Sequence, residues 1–116
     1  MQLKDYPAAI ASAAKTTQYL EANVWDAKNA LAALDWQIEQ AIAQDPDLKN
    51  DQQRRARRLE QQNTASYLKA REAVRKAEAK LEAAQIELTY LRDTFRIEIL
   101  EARERIARLE SDRMIA

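Results

Sequence analysis

Apolar or small residues fall at Ile10, Ala13, Thr17, Leu20, Val24, Ala27, Leu31, Leu34, Ile38 and Ala41, with steps that alternate between three and four. That spacing is a heptad seam carried over more than four repeats, the pattern of a helix packed lengthwise on another helix. Nothing between Pro7 and Ala43 breaks a helix, and Pro7 suits a first turn, where its missing N–H is no loss. A helix over 7–43 is predicted. Gln44-Asp45-Pro46-Asp47 is the one strong stop-and-restart signal. Pro46 disfavours helix at Asp45, and Asp45 is suited to cap a new helix with Pro46 at its first position. The pattern predicts a turn at 44–46 and a second helix over 46–113, antiparallel to the first.

The second seam is weak through Ala56, Leu59 or Glu60, Asn63, Ser66 or Tyr67, and Ala70, and strengthens through Val74, Ala77, Leu81, Ala84, Leu88, Leu91 and Phe95. Beyond Phe95 the frame would put Glu98 and Arg105 inside, whereas a one-residue shift gives Ile99, Ala102, Ile106 and Leu109. Such a stutter locally unwinds a supercoil. A second stripe, Ile86, Tyr90, Ile97 and Leu100, makes the same segment apolar on two faces, and a two-helix contact buries only one. Residues 63–66, Asn-Thr-Ala-Ser, disfavour helix interiors, so a break there is the alternative to one continuous helix.

With the reversal near residues 44–45, Leu31 is expected near Leu59, Leu20 near Ala70, Ala13 near Ala77 and Ile10 near Leu81. The first helix then ends opposite Ala83, and the most apolar stretch of the chain is left without an intrachain partner. That overhang predicts a homo-oligomer, a dimer in the first instance. Its expected interface is Ile86, Leu88, Tyr90, Leu91, Phe95, Ile97, Ile99, Leu100, Ile106 and Leu109. The fold class expected is all-α: a long antiparallel helical hairpin (coiled coil) with an extended second helix, in an oligomeric bundle. A three-helix bundle is the alternative.

Composition supports helices and narrows the chemistry. The 116 residues hold no Gly and two Pro, so few reversals are available. Hydrophobic content is 47%, but 23 of those residues are Ala, so the core is thin. No His and no Cys are present, which removes histidine triads, thiol nucleophiles and imidazole or thiolate metal sites. Without Gly there is no phosphate-cradling loop. The expectation is no catalysis, no cofactor and no metal. No apolar run approaches the length of a membrane span, and the N-terminus lacks the pattern of a signal peptide, so a cytoplasmic protein with no membrane partner is expected.

The 19 basic and 19 acidic side chains cancel overall but are segregated. Residues 1–50 carry four basic and seven acidic groups, residues 51–80 nine and four, and residues 81–116 six and eight. Arg54, Arg55, Arg57 and Arg58 form the densest basic cluster. One reading is phosphate contact on DNA or RNA. The other is a charge match to the acidic first helix through Glu21, Asp26, Asp35 and Glu39. Glu72–Lys76, Glu101–Arg105 and Glu104–Arg108 have the spacing of helix-stabilising pairs. Trp25 and Trp36 are three turns apart and share a face off the seam, expected to be a second packing face, with an aromatic binding platform as the sharper reading.

Asp45-Pro46-Asp47-Leu48-Lys49-Asn50, then Gln52, Arg54 and Arg55, then Tyr67, Ala77-Glu78 and Glu87-Leu88-Thr89-Tyr90-Leu91 resemble small helical coiled-coil proteins of unknown function encoded by phages and prophages. The resemblance spans residues 42–95. Such proteins are often encoded near recombination or strand-annealing genes, which implies an accessory role around nucleic acid. The function expected from the residues themselves is a non-catalytic structural or protein-interaction coiled-coil module. The alternative is a phage-type accessory protein contacting DNA or RNA through Arg54–Arg58.

Overall fold

The computed structural model describes residues 1–115. It is all-α: a 3-10 turn, Leu3–Asp5, leads into α1, Tyr6–Gln44, followed by α2, Asp51–Gln61, and α3, Ala65–Ile115. The described residues therefore contain three α-helices, and the break near residues 63–66 is present. Residues 46–113 do not form one helix.

Local hydrogen bonds explain both interruptions. Asp45 caps a turn, not a helix: its Oδ1 accepts from the Asp47 N–H at 2.9 Å. Helix α2 starts later, at a reciprocal cap. Asn50 Oδ1 accepts from the Gln53 N–H at 2.9 Å, and Gln53 Oε1 accepts from the Lys49 N–H at 2.7 Å. Two side chains thus satisfy two N–H groups, where Asp45 would have supplied one. At the second interruption, Thr64 Oγ1 donates to the Gln61 carbonyl at 3.0 Å, while the Thr64 carbonyl accepts the first bond of α3, from Leu68 N–H at 3.0 Å. A hydroxyl competing for helix carbonyls is the reason Ser and Thr disfavour helix interiors.

The helices form two compact units: residues 19–81, and residues 1–18 together with α3 from Glu82 onward. In the first unit α1 and α3 run antiparallel, with Lys28 Nζ 3.4 Å from Glu78 and Tyr67 donating to Asp35 Oδ1 at 2.8 Å. Its core is Ile38, Ile42 and Tyr67, flanked by Leu31, Leu34 and Leu48. The expected Leu31–Leu59 and Leu20–Ala70 register is not formed. Helix α2 and its two connections take up chain length before α3 turns back, so α1 meets residues much further along. Leu59 is left largely exposed, and no residue of α2 is buried.

In the second unit the start of α1 packs on α3 far beyond Ala83. Tyr6 is buried, its ring stacked on Phe95 at 5.3 Å between centroids, and its hydroxyl donates to Glu98 Oε1 at 3.0 Å. The overhang is correspondingly shorter than the sequence register implied. Leu88 is buried, and Leu91, Phe95 and Ile99 are half-buried, within this unit. They have intrachain cover, which corrects the expectation that the whole apolar segment lacked it.

The α1 seam follows the sequence pattern. Ile10, Ala13, Thr17, Leu20, Val24, Ala27, Leu31, Leu34 and Ile38 are all buried or half-buried, and Ile42 replaces Ala41 at the end. Thr17 fits because its hydroxyl donates to the Ala13 carbonyl at 3.0 Å. On α3 the frame from Ala70 to Phe95 likewise holds. It then continues through half-buried Glu98 and Ala102, with Ile99 also half-buried, because the Tyr6 hydroxyl gives the carboxylate a donor.

Candidate functional site: the outer face of α3

Position on α3 divides the ten apolar residues expected at an interface. At about 100° per residue, Leu88, Leu91, Phe95, Ile99, Ile106 and Leu109 lie on the side that α1 covers. Ile86, Tyr90, Ile97 and Leu100 lie on the opposite side. These four are 64%, 63%, 55% and 56% exposed. Ile106 and Leu109 are also exposed, for a different reason: Tyr6, at the start of α1, already packs on residues 95 and 98, so the seam beyond Ala102 runs out of partner.

The outer stripe is itself a heptad. Ala83, Ile86, Tyr90, Asp93, Ile97, Leu100 and Glu104 follow one another in steps of three and four, and all are exposed. The sequence signal for this second seam is partly hidden because Asp93 interrupts it. Asp93 lies 3.6 Å from Arg96, one turn along. The stripe therefore presents two apolar pairs around one tyrosine hydroxyl and one carboxylate.

The arginine cluster is largely matched within the chain. Arg58 forms a two-point pair with Glu39, its Nη2 donating to Oε2 at 3.0 Å. That hydrogen bond holds the Glu39 carboxyl below its ordinary value. Arg57 lies 3.9 Å from Asp45 and 3.5 Å from Glu60, and Arg54 lies 3.0 Å from Asp51. Arg55 has no carboxylate within 4 Å among the described residues. Of the acidic groups expected opposite the cluster, Glu39 meets it. Asp35 takes the Tyr67 hydroxyl, and Glu21 and Asp26 form no ion pair among the described residues. Helix α2 is short and lies beside the last turns of α1, so the earlier turns are out of its reach.

Two of the three pairs predicted from i to i+4 spacing are absent among the described residues. Glu72 bonds Arg75 instead of Lys76, lowering its carboxyl, and Glu101–Arg105 does not form. Glu104–Arg108 does form, at 2.7 Å. A bidentate arginine at i+3 outcompetes a lysine at i+4 for the same carboxylate.

Two tyrosines close the contacts between α1 and α3: Tyr6 lies outside the seam read from the sequence, while Tyr67 is one of the two positions, with Ser66, that it offered. Tyr6 extends the α1 seam by one more step of four before Ile10, a signal that the spacing does carry. Tyr67 is buried, with Arg71 lying 5.4 Å over its ring. Both hydroxyls are pushed above the ordinary tyrosine value, Tyr6 first by burial and then by its bond to Glu98, Tyr67 first by its bond to Asp35 and then by burial. Trp25 and Trp36 are largely exposed. A cleft of about 170 Å³ beside Leu34, Ile38 and Tyr67 is well below the roughly 300 Å³ at which small-molecule sites begin. Among the described residues no His, Cys, Asp or Glu group is placed to hold a metal, and no helix is long and apolar enough to cross a membrane.

Comparison with protein-family models, curated proteins and solved structures finds no match.

Proposed function

We propose that this chain is a non-catalytic coiled-coil module that assembles with a second copy of itself through the outer face of α3. The observation that carries this reading is the stripe Ile86, Tyr90, Ile97 and Leu100, aligned on one face, opposite the packed seam, and more than half exposed at every position. An exposed apolar stripe of heptad spacing on a charged helix is what a coiled-coil partner requires. Light scattering tests it: a mass near twice 13.4 kDa is expected at micromolar concentration. Ile97→Asp with Leu100→Asp should return the mass to that of one chain with helicity kept, because both side chains stand outside the intrachain seam. A wild-type chain that stays monomeric to high micromolar concentration would refute the reading.

A second reading rests on Arg55, the one arginine of its cluster without a carboxylate partner among the described residues, and on the basic excess of residues 51–80. It is an accessory protein of the phage type that contacts DNA or RNA through Arg54, Arg55, Arg57 and Arg58. It predicts oligonucleotide binding that weakens steeply with salt and falls when all four become Gln. Because three of the four already hold carboxylates, it ranks second.

A further inference from the structure

We infer that the second copy docks on the outer face of α3 antiparallel, in the one register that sets Tyr90 against the partner's Asp93. This inference rests on the assembly proposed above and specifies its geometry. The stripe from Ala83 to Leu100 spans about 26 Å of helix at 1.5 Å per residue. In an antiparallel coiled coil each seam residue faces a residue of the other heptad class. Placing Tyr90 level with the partner's Asp93 also places Ile86 level with the partner's Ile97, and Ala83 level with the partner's Leu100. Symmetry repeats all three layers. Large then meets small at the ends, isoleucine meets isoleucine between them, and each carboxylate receives a hydroxyl donor at the centre.

This chain closes its own helix contacts in the same way. Tyr6 donates to Glu98 at 3.0 Å in one unit, and Tyr67 donates to Asp35 at 2.8 Å in the other. Tyr90 and Asp93 offer the same chemistry, a phenol and a carboxylate, both exposed, on the stripe that α1 leaves uncovered. The flanking charges agree. In this register Glu82 lies beside the partner's Arg103, and Arg103 beside the partner's Glu82, while Thr89 lies beside the partner's Arg96.

The other arrangements fail on charge. A parallel pair sets Asp93 on the partner's Asp93 and Glu82 beside the partner's Glu87. An antiparallel pair one heptad along sets Asp93 on the partner's Ile97, Arg96 beside the partner's Arg96 and Glu87 beside the partner's Glu101. One heptad the other way sets Asp93 on the partner's Ala83 and Glu87 beside the partner's Glu87. Each leaves Asp93 facing no hydroxyl across the seam or puts like charges together, and such mismatches select direction and register. A contact of this length buries on the order of 1,000 Å² in total, the low end for a specific interface.

The chain has no cysteine, so single cysteines report the register cleanly. Ile86→Cys and Ile97→Cys are prepared separately, checked for helicity by circular dichroism, mixed and oxidised mildly. The expected product is the mixed disulfide, formed at least several-fold faster than either self-linked product. Faster self-linking of each variant alone would overturn the inference in favour of a parallel pair. A dimeric mass by light scattering with no disulfide from any combination would overturn the register while leaving self-assembly intact. A monomeric wild type would remove both. As a second measurement, Glu82→Arg should weaken dimerisation about two- to five-fold, and adding Arg103→Glu should restore it. Failure of that restoration also overturns the register.

Discussion

Two tyrosines fix where α3 meets α1, and both do so by donating a hydroxyl to a carboxylate. The neutral phenol is the form each site holds, since both are raised above the ordinary 10.0. The stability these groups contribute is therefore fully present below pH 10 and is lost as pH rises through the raised values. Tyr67→Phe should cost about 1 kcal/mol at pH 7, the net worth of a single hydrogen bond. It should also flatten the loss of stability above pH 10, measured by urea unfolding across that range. Glu39 behaves oppositely. Its lowered carboxyl contributes above about pH 4.5 and loses that contribution as pH falls further, so Glu39→Gln should remove a small, salt-sensitive part of the acid transition. Trp25 and Trp36 stand clear of the chain's own seam. Acrylamide should quench both fully in the wild type. Strong protection of either at concentrations where the chain is dimeric would show that α1 also takes part in an interface.

Among the helices, α2 is held differently from its neighbours. It buries no residue, and its anchors are the Asn50–Gln53 cap and the Arg58–Glu39 pair. Few buried apolar contacts mean low local stability. Amides of residues 54–61 should therefore exchange with solvent well before those of α1 from Val24 to Ile42. Asn50→Ala should cost about 1 kcal/mol, typical of a lost cap, and should speed that exchange further. Ile42→Ala, by contrast, strikes the core that Ile38 and Tyr67 complete and should cost about 2–4 kcal/mol in global unfolding. Slow exchange throughout α2 would show that it is covered by something the single chain does not supply.

At the scale of the molecule, the outer stripe of α3 links stability to concentration. If two chains pair there, the unfolding midpoint must rise with protein concentration, because the dimer binds the native form alone. Ile97→Asp with Leu100→Asp should abolish that dependence and lower the midpoint at high concentration only. By comparison, Leu91→Asp would damage the intrachain seam, since Leu91 is half-buried beside Leu88 and Phe95. Ile106→Asp should change little, since its side chain is exposed and lies outside the Ala83–Leu100 stripe.

The outline of that outer stripe is legible in the spacing of Ile86, Tyr90, Ile97 and Leu100. Heptad spacing is a local property, so the sequence alone determined that the chain is all-α, which face of α1 is buried, and which face of α3 from Ala70 to Phe95 meets it. It also marked the weak points at Pro46 and at Asn63–Ser66. What it did not determine was that both weak points break the helix, where α2 begins and where the helices meet. The choice of Asn50 over Asp45 as a cap depended on Gln53 reaching back. The register depended on the chain length that α2 takes up, which moved Tyr6 onto Phe95 and Glu98. Charge segregation offered Glu21, Asp26, Asp35 and Glu39 as partners for the arginines, but not that Glu39 alone would take Arg58, which depended on where α2 lies along α1. Only the tertiary structure showed that α1 covers Leu88, Leu91, Phe95 and Ile99 and stops short of Ile106 and Leu109 on the same side, because covering depends on where the other helix ends.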